Sequence, residues 1–283
     1  MHIQLMTDGG TDLPTRLTDS LDIKVIPLYL HFKDQEFISG VTLNLKQFYQ
    51  KIRETGELPR SSAPSPNDFY EAYKEVSPDT PIVYLSLSEG LSTTYENAVL
   101  AKQMLLEEEP ERKIAVINTK TASCGTALLV HEANKKMIEG YTFEQLEEDL
   151  NSCVEDTTTL IALKTLDNVI RGGRLDKVRG TIAKTLNIKI LMRTSDEGTI
   201  EVAEKVRGDK KSIRRLIEQI GEYTKDVEDK VIIMSHSNAE SRAQAVLDEI
   251  MEKYAFKDSY LTDMGPLIST YAGEGGIVIS FFK

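Results

Sequence analysis

The 283-residue chain has no tryptophan, two cysteines, four histidines and no apolar run near the roughly 20 residues that span a bilayer. Cys124 and Cys153 lie far apart, with no CxxC pair and no histidine cluster beside them. A disulfide framework and a zinc site are therefore not indicated, and a reducing cytoplasm fits best. The start, MHIQLMTDGGTD, lacks the cationic stretch, apolar segment and small-residue cleavage site of an export signal. The expectation is a cytoplasmic protein without membrane insertion and with at most transient membrane contact. Neither a Walker A segment nor a G-x-G-x-x-G fingerprint is present, so nothing points to ATP or NAD and no cofactor is expected. Positive charge is scarce as well. The net charge of −11 repels polyanions and disfavours nucleic acid as a partner.

What is present is a hydrophobic content of 40%, enough for the core of one large or two ordinary domains. Charge is unevenly spread, since Ile170 to Arg215 carries 13 Lys/Arg against 6 Asp/Glu, a local +7. Short apolar runs at His2–Thr7, Lys24–Phe32, Pro81–Leu87 and Lys113–Thr119 read as strands. Between and after them, Leu45–Thr55, Pro66–Val76, Thr93–Glu107 and Ala127–Glu139 read as helices. The alternation predicts an α/β fold whose N-terminal sheet is mainly parallel, with helices on both faces. An acidic helix over Tyr141–Asp156 closes this unit, placing a boundary between residues 1–156 and 157–283. In the second unit Lys189–Arg193 and Thr199–Val206 flank the turn SDEG, which predicts a hairpin. Strands at Lys230–His236, Ser259–Met264 and Gly276–Phe282 alternate with helices Asp209–Thr224 and Ala239–Tyr254. A smaller C-terminal α/β domain with a mixed, partly antiparallel sheet is expected.

In open α/β sheets ligands collect at the carboxyl ends of the strands. Here those tips are rich in hydroxyls and glycine: Asp8-Gly9-Gly10-Thr11, then Ser86 to Thr94, then Thr119, Thr121 and Ser123, with Ser61, Ser62 and Ser65 on a loop. Hydroxyls and backbone amides at a helix start hold a carboxylate or phosphate without a buried cation, and Ser92 and Thr93 stand where a helix begins. The same residues are also ordinary turn formers and caps. Asp8 is the one tip carboxylate that could ligate a metal, and alone it is no site, so no metal is expected. Gly90-Leu91-Ser92-Thr93-Thr94 approximates a nucleophile elbow. A serine esterase or thioesterase with Ser92 as nucleophile is thus an alternative, with His236 its only strong candidate base. A regulatory module using the basic stretch is a third reading, against which the overall charge argues.

Five segments in order, Thr7–Pro14, Ser61-Ser62-Ala63-Pro64-Ser65, Leu91-Ser92-Thr93-Thr94-Tyr95, Arg171-Gly172-Gly173-Arg174 and Met264-Gly265-Pro266-Leu267-Ile268, resemble the DegV family of bacterial fatty-acid-binding proteins. The resemblance spans almost the whole chain. It implies a long-chain fatty acid held between the two domains, its carboxylate at the serine loops and its tail in an apolar tunnel. It also implies a carrier and not an enzyme, one that presents the carboxylate to a separate ATP-dependent fatty acid kinase for acyl-phosphate formation in phospholipid metabolism. By position, Ser92 and Ser61 correspond to carboxylate donors, with Ser62 and Thr93 their neighbours. Arg174 and Arg207, with Arg171 beside them, correspond to arginines that dock the kinase, and they fall inside the basic stretch. Three departures from the family pattern stand out. Gly9 occupies a usual serine, Thr93 a usual glycine, and Tyr271 a histidine that supports the carboxylate. A tyrosine hydroxyl still donates a hydrogen bond, but it stays neutral and reaches further.

Overall fold

The computed structural model describes residues 2–19, 21–33, 35–175 and 187–283. Its first part runs β1 (Gln4–Asp8), α1 (Thr15–Thr18), β2 (Ile23–Ile26), β3 (Tyr29–Phe32), β4 (Gln35–Ile38), α2 (Leu45–Thr55), β5 (Arg60–Ser62), α3 (Pro66–Lys74), β6 (Ile82–Ser86), α4 (Thr94–Glu108), β7 (Ile114–Asn118), α5 (Cys124–Ile138) and α6 (Phe143–Asp156). Strands β2, β1, β6 and β7, in that order, form a parallel sheet. Successive side chains point to opposite faces, so a sheet covered on both sides needs unbroken apolar strands. Leu5 and Val83 pack on α5 and α6 through Leu129, Leu146 and Leu150. Their neighbours Met6 and Tyr84 pack on α3 and α4 through Phe69, Tyr73, Ala98 and Leu105.

The run expected as one strand over Lys24–Phe32 is two. Pro27 lacks the amide that would continue the ladder, and the chain leaves the parallel sheet after Ile26, whose carbonyl accepts from Gly9 N at 2.9 Å. Strand β3 then joins β4 and β5 in a separate antiparallel sheet. Arg60–Ser62, expected as loop, is therefore an edge strand. Helix α4 starts one residue later than expected, and α5 starts at Cys124, three residues earlier.

The remainder runs β8 (Thr157–Ala162), α7 (Asp167–Arg171), β9 (Ile188–Thr194), β10 (Ile200–Arg207), α8 (Asp209–Tyr223), β11 (Val231–His236), α9 (Glu240–Lys253), β12 (Asp258–Asp263), α10 (Pro266–Ala272) and β13 (Ile277–Phe282). Its sheet has the order β10-β9-β8-β13-β11-β12, parallel only between β11 and β12. Strands β9 and β10 form the expected hairpin, with a register shift between Val202 and Glu204. One face of this sheet packs on α8 and α9. The other meets α5, where Cys124, Ala127 and Leu128 touch Ile161, Ile233 and Val278. Residues 124–130 of α5 are buried without exception, as a helix between two sheets must be. The two sheets thus converge on the start of α5.

Candidate functional site

At that junction lies a cavity of about 100 Å³, lined on its apolar sides by Leu28, Leu87, Ile161, Leu163, Ile268 and Val278, among others. Strand β5 contributes Ser61, the turn after β6 contributes Leu91 and Ser92, the segment after α7 contributes Arg174, and α10 contributes Tyr271. Ser61, Tyr271 and Arg174 are tied into one chain that reaches the backbone carbonyl of Leu91, next to Ser92. The Ser61 hydroxyl and the Tyr271 hydroxyl are 2.5 Å apart. The Arg174 guanidinium carbon sits 4.9 Å from the Tyr271 ring centroid, and Arg174 Nε donates to the Leu91 carbonyl at 3.1 Å. Arg174 also donates to the Gly172 carbonyl at 2.6 Å, so its guanidinium is held over the ring.

Ser92 is half-buried, its amide bonded to the Ser88 carbonyl at 3.1 Å and its hydroxyl 2.8 Å from that of Thr94. Thr94, wholly buried at the first position of α4, was read from the sequence only as one of the strand-tip hydroxyls and not as the partner of Ser92. Thr93 is exposed and its side chain caps nothing in the helix. Ser62 faces away from the cavity, as alternation along β5 requires, and bonds His31 at 2.8 Å. Arg171 and Arg207 are exposed, with no ion pair among the described residues. Two other cations of the basic stretch are structural, while residues 176–186 of it lie outside the described residues. Arg193 pairs with Glu201, and Arg215 with Glu204, Glu218 and Glu222.

The elements needed for a nucleophilic serine do not meet. Ser92 bonds Thr94, whereas His236 Nδ1 lies 3.4 Å from Asp263 and accepts from Ala239 N at 3.5 Å. His236 is not among the residues that line the cavity.

Two buried carboxyl groups brace the site. Asp8 accepts from Gly10 N, Leu87 N and the Tyr84 hydroxyl at 2.7–2.9 Å. Burial raises its pKa to about 6, against the pull of those bonds. Asp12 accepts from the Ser123 hydroxyl and, at 2.7 Å, from Gly265 N at the start of α10. Burial raises its pKa to about 7, with Asp263 adding to the effect. Asp8 is thus fully occupied in holding two turns and does not stand open to a metal. Among the described residues no three His, Cys, Asp or Glu side chains gather as a metal site, and no helix is long and apolar enough to cross a membrane.

The family model described as "Uncharacterised protein, DegV family" matches residues 2–283. The chain is 31% identical over 284 residues to the fatty acid-binding protein of Thermotoga maritima, covering 98% of this chain and 96% of that one. It is 30% identical to a DegV domain-containing protein of Streptococcus pneumoniae, covering 99% of each. Among solved structures, the fatty acid kinase B3 protein of Streptococcus pneumoniae, loaded with linoleic acid, superposes with a TM-score of 0.88 at 29% identity, covering 100% of this chain and 99% of that one. A DegV-family protein of Ruminococcus gnavus with vaccenic acid gives a TM-score of 0.91 at 28% identity, covering 98% of this chain and 99% of that one. With a family match over nearly its full length and a fold shared with lipid-loaded relatives, this chain belongs to the DegV family.

Proposed function

We propose that this protein binds a long-chain fatty acid in the cavity at the start of α5 and is a carrier, not an enzyme. The observation that carries the proposal is a largely apolar cavity in which Ser61, Tyr271 and Arg174 are linked to one another and, through the Leu91 carbonyl, to the turn that carries Ser92, the four coming from separate segments. All four offer neutral or charged donors to a carboxylate, and the apolar lining suits a tail, each buried methylene contributing about 0.8 kcal/mol. Tyr271 takes the supporting role that the resemblance gives to a histidine. Arg174 adds a permanent cation.

In this reading residues 1–156 supply the serine loops and residues 157–283 close over the acyl chain. The carboxylate is presented to a separate ATP-dependent fatty acid kinase, which docks through the exposed Arg171 and Arg207 and through the neighbourhood of Arg174. The lipid-bound relatives and the name of the streptococcal protein support this partnership. Denaturing mass spectrometry of protein purified from bacteria tests the first step, with bound fatty acid expected. Absence of lipid, together with no binding of added fatty acid by the delipidated protein, overturns it. Addition of a bacterial fatty acid kinase and ATP tests the second step, with acyl phosphate as the product expected.

A further inference from the structure

The cavity carries hydroxyls beyond Ser61, Ser92 and Tyr271 of the proposed carboxylate site. Thr121, Thr159 and Thr194 line it together with Ile161, Ile200 and Val278. Thr121 and Thr159 satisfy each other at 2.8 Å, and Thr159 also meets the Ser280 hydroxyl at 2.8 Å. The Thr194 hydroxyl has no hydrogen-bond partner among the described residues. Thr121 and Thr194 also line a second, polar cavity of about 350 Å³, together with Thr158, Arg193, Ser195 and Tyr223. This cavity arises where two strands part, since the β8–β9 ladder ends at Leu160 and Arg193. Thr158, just beyond that point, is 5% exposed and its hydroxyl has no partner. Thr121 and Thr194, shared by the two cavities, make the wall between them polar where a tunnel built for plain hydrocarbon needs only apolar side chains.

We propose that this protein accepts fatty acids with a hydroxyl on the acyl chain, the substituent bonding Thr194 at the wall shared with the polar cavity. The inference rests on the fatty-acid reading above and names the class of acid. In a uniformly apolar tunnel a chain hydroxyl would lower affinity by roughly tenfold or more, because it would be buried unpaired.

The test is a titration of delipidated protein with stearic acid and with monohydroxystearic acids carrying the hydroxyl at successive positions. At one or two adjacent positions the hydroxy acid is expected to bind at least as tightly as stearic acid, and elsewhere about tenfold more weakly. In Thr194→Val the ratio of hydroxy-acid to stearic-acid affinity at the favoured position should drop about tenfold, and Thr194→Ser should restore it. If stearic acid binds but every hydroxy isomer is weaker, the inference fails while the fatty-acid reading stands. An unchanged ratio in Thr194→Val also overturns it. If no acid of the series binds, the fatty-acid reading itself falls.

Discussion

The ring of Tyr271 lies directly over Gly172, so close that a β-carbon at position 172 would sit 2.5 Å from one ring carbon and 2.6 Å from another. Gly172 has an ordinary helical φ of −71°, so glycine is needed here for room and not for backbone freedom. On its other contacts the ring is fixed by Arg174 and, through its hydroxyl, by Ser61. Gly172→Ala is expected to push Tyr271 off Ser61, destabilise the fold by about 1–3 kcal/mol and weaken fatty-acid binding by roughly tenfold. Ligand titration alongside denaturant unfolding separates the two effects. Wild-type affinity in this variant would remove Tyr271 from the head-group site.

Ser92 is held in place by Thr94, whose hydroxyl lies 2.8 Å from its own and whose amide donates to it at 3.3 Å. Ser92→Ala removes one half-buried hydroxyl and leaves the apolar lining intact. A loss of about 1 kcal/mol, or roughly fivefold in affinity, is expected with little change in the unfolding midpoint. Thr94→Val, which frees the Ser92 hydroxyl to rotate, should weaken binding less. Equal affinities for Ser92→Ala and wild type would show that the carboxylate is held elsewhere.

How much of this was legible depended on how local the cause was. The apolar strands β1, β6 and β7 and the amphipathic helices between them announce themselves through periodicity, and the turn SDEG marks its hairpin by composition alone. Strand β5, three residues long at a sheet edge, carries no periodicity to detect. The break at Pro27 was visible as a proline, yet the unbroken apolar run around it outweighed that signal. Ser61 and Ser92 were legible as candidates from strand-tip position and from the family resemblance. Arg174 was assigned only to partner docking, because its contact with the Tyr271 ring joins residues remote in sequence. Pro266 after Gly265 is a helix-start signal that α10 obeys, and it would have pointed to the element that carries Tyr271.

Arg174 and Arg207 are expected to behave differently. Arg207, at the exposed end of β10 and outside the cavity lining, should matter to the kinase alone. Arg207→Ala is expected to raise the KM of the kinase for the loaded carrier several-fold while Kd for the fatty acid stays unchanged. Arg174→Ala should raise both, since it strips the Tyr271 ring of its stacking partner and the cavity of its cation. Kinase kinetics and direct titration on the same protein samples distinguish the two. Normal kinetics in Arg207→Ala would refute the docking role.

Asp12 links the start of α10 to the start of α5 through Gly265 N and the Ser123 hydroxyl, and its protonation state sets a pH dependence of stability. Its folded-state pKa is raised from 3.8 to about 7, and that of Asp8 to about 6, chiefly by burial. The folded protein therefore holds these protons more tightly than the unfolded chain does. Their contribution to stability is complete below about pH 4, fades as pH rises through 6 and 7, and is absent above. Asn at position 12 keeps an acceptor for Gly265 N but cannot ionise. Compared with wild type, Asp12→Asn should be relatively more stable at pH 8 than at pH 5 by a few kcal/mol, since each pKa unit corresponds to about 1.4 kcal/mol. Urea unfolding of both proteins at the two pH values measures this difference directly, and identical pH slopes would show that Asp12 is ionised throughout the range.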